Sequence, residues 1–198
     1  MNNIKNKVHE KIKEYSNEEY LDGYIKNEFL TEDGTANILL KISSINELFD
    51  PRTCEKQLDL RQSIYDFVDH KSSMLDNNIE LKLNILGIDL ESHKKEQIKH
   101  LFKEHYAIEL YKLQKDYKRY KNRIFKLLLT GLLSLICYSI IALKFNSNLF
   151  IEISGFLFSF ALWQAFEIII YNLSDLRKER EAITQKLIMD IIFDSEKQ

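Results

Sequence analysis

Side chains that could do catalytic or metal chemistry are scattered along this sequence. Neither HExxH spacing nor a pair of histidines four residues apart occurs, and Cys54 and Cys137 lack a CxxC partner. None of the five glycines belongs to a phosphate-binding loop. We therefore expect no metal site, no cofactor and no enzymatic activity. The five histidines are His9, His70, His93, His100 and His105.

Polar residues with a regular spacing occur instead inside an apolar stretch near the C-terminal end. They recur every three or four residues, which places them on one side of a helix. This stripe consists of Glu152, Gly155, Ser159, Trp163 and Glu167. An earlier apolar stretch carries a comparable stripe of Thr130, Ser134, Cys137 and Tyr138.

Two interpretations of these polar stripes are open. In the first, the stripes pack against each other, because small and hydroxyl residues allow close helix contact. Glu167 then lies about one turn from the membrane boundary, within reach of water or of basic residues. In the second, Glu152 and Glu167 line an ion path or an oligomer seam. We favour the first, because two helices alone cannot enclose a pore.

The two apolar stretches cover residues 124–145 and 149–171. Each is long enough to cross the hydrocarbon core, which takes about 20 helical residues. Only three residues separate them, so they predict a tight transmembrane hairpin. A buried helical hairpin of a soluble protein is the alternative, but the remaining chain is too small to cover such uniformly apolar helices.

Basic residues flank the hairpin on one side only. Lys112 and Lys126 bound a run of them around the start of the first stretch, whereas only Lys144 lies beside the connecting turn. Basic flanks stay in the cytoplasm, so we expect both termini inside a bacterial inner membrane. RNA binding is disfavoured, because the formal net charge is −2. The candidate contacts to lipid headgroups are Lys115, Lys118, Arg119, Lys121, Arg123, Arg177, Lys178 and Arg180.

Residues 1–123 predict a cytoplasmic domain of helices and strands. Helical spacing of Ile4, Val8, Ile12 and Tyr15 indicates an N-terminal helix, and residues 37–42 and 79–85 read as strands. A helix is expected over 58–70 with Asp59 as its cap. Another helix follows, capped by one of two residues, Asp89 and Ser92.

Two helical stalks are expected beside the hairpin. Apolar residues from Phe102 to Ile124 keep a spacing of three or four, so this helix should run directly into the first stretch. Residues 172–198 return with the same spacing and should pack antiparallel to it. The final segment around 188–194 is compatible with either a strand or a helix. Together these features predict an α+β membrane protein: a transmembrane hairpin, helical stalks and a small mixed α/β cytoplasmic domain.

Several segments also resemble a group of bacterial two-span membrane proteins that have no established activity. The resemblance is carried by "FDP", "LRQSIYDFVDHKSS" and "IELKLNILGID", and by a second span that contains Trp163 and Glu167 ahead of a tail of mixed charge. It covers the chain from about Leu48 onward. It implies a small cytoplasmic α/β part before a helical hairpin, and it assigns no functional residue.

The function expected from these features is that of a membrane-anchored regulatory or adaptor protein without enzymatic activity. Its cytoplasmic domain would bind a protein partner or self-associate, and its other contacts would be with membrane lipids, not nucleic acid. Two alternatives stay open. One is an oligomerising effector that makes the membrane leak, and the other is an accessory subunit of a transporter.

Overall fold

A computed structural model of the chain describes residues 28–54, 57–144 and 148–194, together with Gly23. The predicted N-terminal helix and residues 145–147, which include most of the predicted turn at 146–148, lie outside the described residues. The strands are β1 (Ala36–Lys41), β2 (Leu81–Leu86) and β3 (Asp190–Asp194). The helices are α1 (Ile45–Leu48), α2 (Gln62–Ser72), α3 (Ser92–Lys144), α4 (Asn148–Glu167) and α5 (Leu173–Leu187). A π-helical segment, Ile168–Asn172, joins α4 to α5.

The chain divides into two compact units. The α/β unit contains the described residues up to Tyr106 and from Thr184 onward, and the hairpin unit is Ala107–Ile183. Helices α3 and α5 each contribute to both units. The fold is therefore a mixed α+β arrangement with two long apolar helices, as the sequence predicts.

The α/β unit is built on a parallel sheet with the strand order β1-β2-β3. Leu83 on the central strand pairs with Ile38 on one side and Ile191 on the other, and all three side chains are buried. The opposite face of β1 carries the half-buried Asn37 and the exposed Leu39, as period-two alternation requires. The last segment, for which strand and helix were both open, forms β3.

Helix α2 and the first turns of α3 supply the aromatic core of this unit. Tyr65, Phe102 and Tyr106 are buried, and the Tyr65 and Phe102 rings meet edge-to-face at 5.5 Å. The predicted Asp59 cap is wrong, because α2 begins at Gln62. The Asp59 carboxylate instead accepts a 2.9 Å hydrogen bond from the Tyr65 hydroxyl. Burial, together with this bond, raises the pKa of Tyr65 above its usual range.

The end of β2 requires a glycine. Gly87 has φ +91°, and a Cβ atom there would lie 2.8 Å from the Ile42 carbonyl oxygen. A side chain at this position would collide with the Ile42 carbonyl and would require an unfavourable φ. Only glycine therefore allows the chain to pass this close to the end of β1 as it leaves the sheet. Helix α3 then begins at Ser92, and the Glu91 carbonyl accepts its first backbone hydrogen bonds, so neither of the expected caps, Asp89 and Ser92, precedes the first helical residue directly.

The connection from β2 to β3 contains the whole hairpin. Helix α3 runs without interruption from Ser92 to Lys144, which confirms that the first stalk continues into the first apolar stretch. The returning end of α5 is fixed inside the α/β unit by Gln185, whose amide nitrogen donates to the carbonyls of Asp76 at 2.9 Å and Ile79 at 2.6 Å.

An ion pair adds to this attachment of α5. Lys186 Nζ lies 2.6 Å from Asp69 Oδ1, and the Tyr106 hydroxyl donates to the same oxygen at 3.2 Å. Because only 11% of the Lys186 side chain is exposed, the pair holds a largely buried ammonium. The segment that precedes the hairpin and the segment that follows it are thus packed together in the α/β unit.

Candidate functional site

Two helices of this chain are long and apolar enough to cross a membrane. Within the described residues they are Ser92–Leu143 and Glu152–Leu187, and only 6% and 22% of their most apolar windows are buried. A core helix of a soluble protein would bury its apolar residues. Both helices here leave most of their apolar side chains uncovered.

The helices of the hairpin meet along a regular line of buried and half-buried residues, which we call the seam. Its members alternate in spacing between three and four, as in antiparallel coiled coils. On α3 they are Ile124, Leu127, Gly131, Ser134, Tyr138 and Ile141, and on the returning helix they are Ser154, Phe158, Ala161, Ala165 and Ile168.

Small residues set the distance between the helices at the seam. A Cβ atom on Gly131 would lie only 3.4 Å from the Ala161 Cβ. The Ser134 hydroxyl donates to the Ser154 carbonyl at 2.9 Å. Close backbone approach and hydroxyl bonds across the contact are the means by which helices associate in lipid, where hydrophobic burial gives no driving force between them.

The predicted polar stripes are not brought together by the structure. Glu152, Ser159, Trp163 and Glu167 are exposed, with Trp163 70% exposed, and Gly155 is half-buried. Thr130 is exposed and donates to the Lys126 carbonyl of its own helix. Of the nine residues in the two predicted stripes, Ser134 and Tyr138 belong to the seam.

This departure has a simple geometric reason. The seam residues of α4 precede or follow the polar stripe by one or two positions, and two positions turn a helix by about 200°. Both lines have the same period, so spacing alone could not choose between them. The missed signal is the small residues outside the polar stripes: Gly131, Ala161 and Ala165 allow close packing as Gly155 and Ser159 would, but they are not marked by polarity.

Glu167 ends α4 on the outer side of the hairpin. The Gln164 amide donates to its carboxylate at 3.1 Å. Ala161 and Gly131 lie at the same level, because they are in contact. Glu167 is six residues after Ala161 and Phe125 is six residues before Gly131 on the antiparallel helix, so these two residues also lie at about the same level. The basic residues Arg123 and Lys126 flank that level, so cations and the carboxylate lie at a similar depth along the hairpin.

The π-helical segment corrects the register of the returning helix. Continued beyond Ile168, the seam spacing reaches Asn172 and then Asp175, whereas the large aliphatic side chains of α5 that are buried or half-buried within the hairpin unit are Leu173, Leu176 and Ile183. The two lines are therefore offset by one residue. A π-helical turn accommodates one extra residue in a helix, so Ile168–Asn172 brings both lines onto α3. Asn172 also donates to the Tyr120 hydroxyl at 3.4 Å.

Every predicted headgroup contact is exposed in the structure. Some have neighbours: Arg119 pairs with Asp116 at 3.0 Å, and the Lys121 ammonium lies 4.8 Å from the Tyr117 ring centroid. The full set is Lys115, Lys118, Arg119, Lys121, Arg123, Arg177, Lys178 and Arg180.

A groove of about 570 Å³ opens between α3 and α5 within the hairpin unit. Two of the predicted basic residues, Arg177 and Arg180, lie on its wall. Its apolar wall includes Leu113, Tyr117, Ile169 and Leu173, and Gln114 and Ser174 add polar atoms. The sequence predicts the basic residues individually, but not that two of them share a groove with apolar side chains.

No family model, curated protein or solved structure matches this chain. The resemblance to bacterial two-span membrane proteins therefore stays a prediction. A function for this chain is therefore inferred from three structural features: the hairpin, the groove and the topology of the sheet.

Proposed function

We propose that this chain is a regulatory or adaptor protein anchored in the bacterial inner membrane, without enzymatic activity. Its hairpin inserts into the bilayer, and its α/β unit binds a protein partner or a second copy in the cytoplasm. The observation that carries the proposal is the insertion of the apolar hairpin between β2 and β3 of a single sheet. Because residues on both sides of the hairpin pack in one unit, both must lie on the same side of the membrane.

The charge distribution supports the cytoplasmic side. Residues 112–126 contain seven basic residues and one acidic residue, whereas Lys144 is the basic residue beside the turn. Basic residues close to the ends of spans are retained in the cytoplasm. Both termini are accordingly placed inside.

Self-association is supported by the outer face of the hairpin. Ser159, Trp163 and Glu167 are exposed on α4, away from the seam. A carboxylate facing lipid is costly unless it finds a partner or reaches the interface. A second copy can cover this face and bring Arg123 or Lys126 to Glu167, which lies at a similar depth.

Cysteine labelling tests the insertion and the topology. With Cys54 and Cys137 replaced by serine, a membrane-impermeant maleimide should modify Asn146→Cys in intact cells. It should modify Asn17→Cys and Glu196→Cys only after the cells are opened. Labelling of either terminal cysteine in intact cells, or protection of Asn146→Cys, would contradict the proposed topology.

An oligomerising effector that makes the membrane leak is the second candidate. The exposure of Glu167 favours it, because copies of this residue could form an acidic ring that attracts cations. Glu167→Gln keeps the shape and removes the charge. In liposomes with equal amounts of protein, an anchor should show the same cation flux before and after the substitution. A reproducible loss of flux in the variant would favour the effector.

A further inference from the structure

The groove between α3 and α5 combines two chemistries along one axis. Ile169 and Leu173 belong to its apolar part, and Arg177 and Arg180 lie further along the returning helix. From Ile169 to Arg180 the helix rises by about 16 Å. This is the order of polarity met on passing from the acyl region of a bilayer to its headgroups.

The arginine side chains are suited to bind a phosphate. Arg177 is 81% exposed, and its Nε lies 3.7 Å from the Glu181 carboxylate, which is longer than a hydrogen bond. Guanidinium groups present several N–H donors in a planar fork that matches phosphate oxygens. Gln114 of α3 and Ser174 of α5, which also line the groove, can contribute neutral hydrogen bonds.

The remaining wall suits a hydrocarbon chain. Leu113 is buried, and Tyr117, Leu173 and Ile169 complete an apolar surface beside the arginines. The ammonium of Lys121 lies over the Tyr117 ring and adds positive charge near the same wall. A small hydrophilic anion would use the arginines alone, whereas a ligand with a phosphate and an apolar chain would use both parts.

We propose that this groove binds one anionic phospholipid of the surrounding leaflet. Its phosphate would contact Arg177 and Arg180, and the start of its acyl chain would lie against Leu173 and Ile169. The inference rests on the proposed insertion of the hairpin. Bound there, the lipid would join the two stalks just outside the π-helical segment, so stalk packing would depend on the lipid composition of the membrane.

Native mass spectrometry of the full-length protein, released from nanodiscs, tests this site. Nanodiscs of phosphatidylcholine alone are compared with nanodiscs that also contain phosphatidylglycerol. The wild type should retain phosphatidylglycerol in preference to phosphatidylcholine. Arg177→Gln combined with Arg180→Gln should weaken retention roughly 10- to 30-fold, the loss expected for two arginine contacts near an anionic surface.

Two controls separate a built site from general surface charge. Lys115→Gln combined with Lys118→Gln removes the same charge beside the groove and should lower retention much less. Ser174→Trp keeps both arginines but fills the groove, so it should also abolish preferential retention. Equal effects of the two double variants, or normal retention in Ser174→Trp, would overturn the proposal.

A competition experiment identifies the source of the phosphate. If a lipid is the ligand, glycerol phosphate or inorganic phosphate should not displace retained phosphatidylglycerol at equal concentration. Displacement would show a site for soluble phosphate compounds and overturn the lipid assignment. The labelling of Asn146→Cys in each variant reports insertion separately, so normal labelling without lipid preference would reject the groove site and leave the anchor intact.

Discussion

Deleting one residue from the π-helical segment should leave the seam in register. Ile170 is 56% exposed and lies in the middle of Ile168–Asn172. Without it, this segment can continue as a regular α-helix, and the seam spacing after Ile168 runs directly into Leu173, Leu176 and Ile183. An insertion of one alanine after Ile170 should disrupt the register, because it rotates Leu173, Leu176 and Ile183 by about 100° around the helix axis.

The size of the effect follows from the burial of three side chains. Ile183 is only 6% exposed, and Leu173 and Leu176 are half-buried. Removing one large aliphatic side chain from its contacts costs about 1.5–3 kcal/mol. The alanine insertion should therefore cost roughly 3–6 kcal/mol in total, whereas the deletion should change stability by less than about 1 kcal/mol, the worth of the Asn172–Tyr120 hydrogen bond.

Thermal unfolding in a mild detergent measures this difference. For a chain of this length, roughly 3–6 kcal/mol corresponds to a decrease in Tm of about 6–24 °C. The substitution Ile170→Ala serves as the control for loss of the side chain alone. If the deletion lowers the Tm as much as the insertion does, the π-helical segment does not correct the register of the returning helix.

Two further substitutions test the packing of each unit. Gly131→Leu should destabilise the hairpin by about 1–3 kcal/mol, because the new side chain would collide with Ala161. Leu132→Ala, on the exposed side of the same helix, should have little effect. The rate of proteolysis in detergent distinguishes the two variants. In the α/β unit, Asp69→Asn removes the negative partner of the largely buried Lys186 and should cost about 1–3 kcal/mol in thermal unfolding. Adding Lys186→Met to Asp69→Asn should recover part of that loss; a further decrease would contradict the pairing.

The sequence predicts the elements of this fold better than their contacts. Strands β1 and β2, helix α2 and the continuous α3 all follow from local patterns of apolar residues. The expected cap of α2 was wrong, because Asp59 binds the distant Tyr65 hydroxyl and not the helix end. A short carboxylate can satisfy either role, and only the tertiary position of Tyr65 decides between them.

The candidate site was predicted less well, for a related physical reason. In water, the buried side of a helix is recognised by its apolar residues, but both sides of these helices are apolar. The choice of the contact face then depends on side-chain volume, as the meeting of Gly131 and Ala161 shows. Polar residues such as Trp163 and Glu167 stand out in the sequence, yet the structure leaves them on the outer face.

The chain order of the sheet also constrains how the protein is assembled. Strands β1 and β2 precede the hairpin, whereas β3 follows it, and Ile191 fills part of the same core as Leu83. During synthesis, the sheet can therefore be completed only after both apolar helices have been made. Pairing across so long a connection carries a large loop-closure cost unless the connection is itself folded. A formed seam removes that cost by returning α5 to the side from which α3 departed, and Gln185 and Lys186 then fix the returning end immediately before β3. Packing of the hairpin thus lowers the entropic cost of adding the third strand to the sheet.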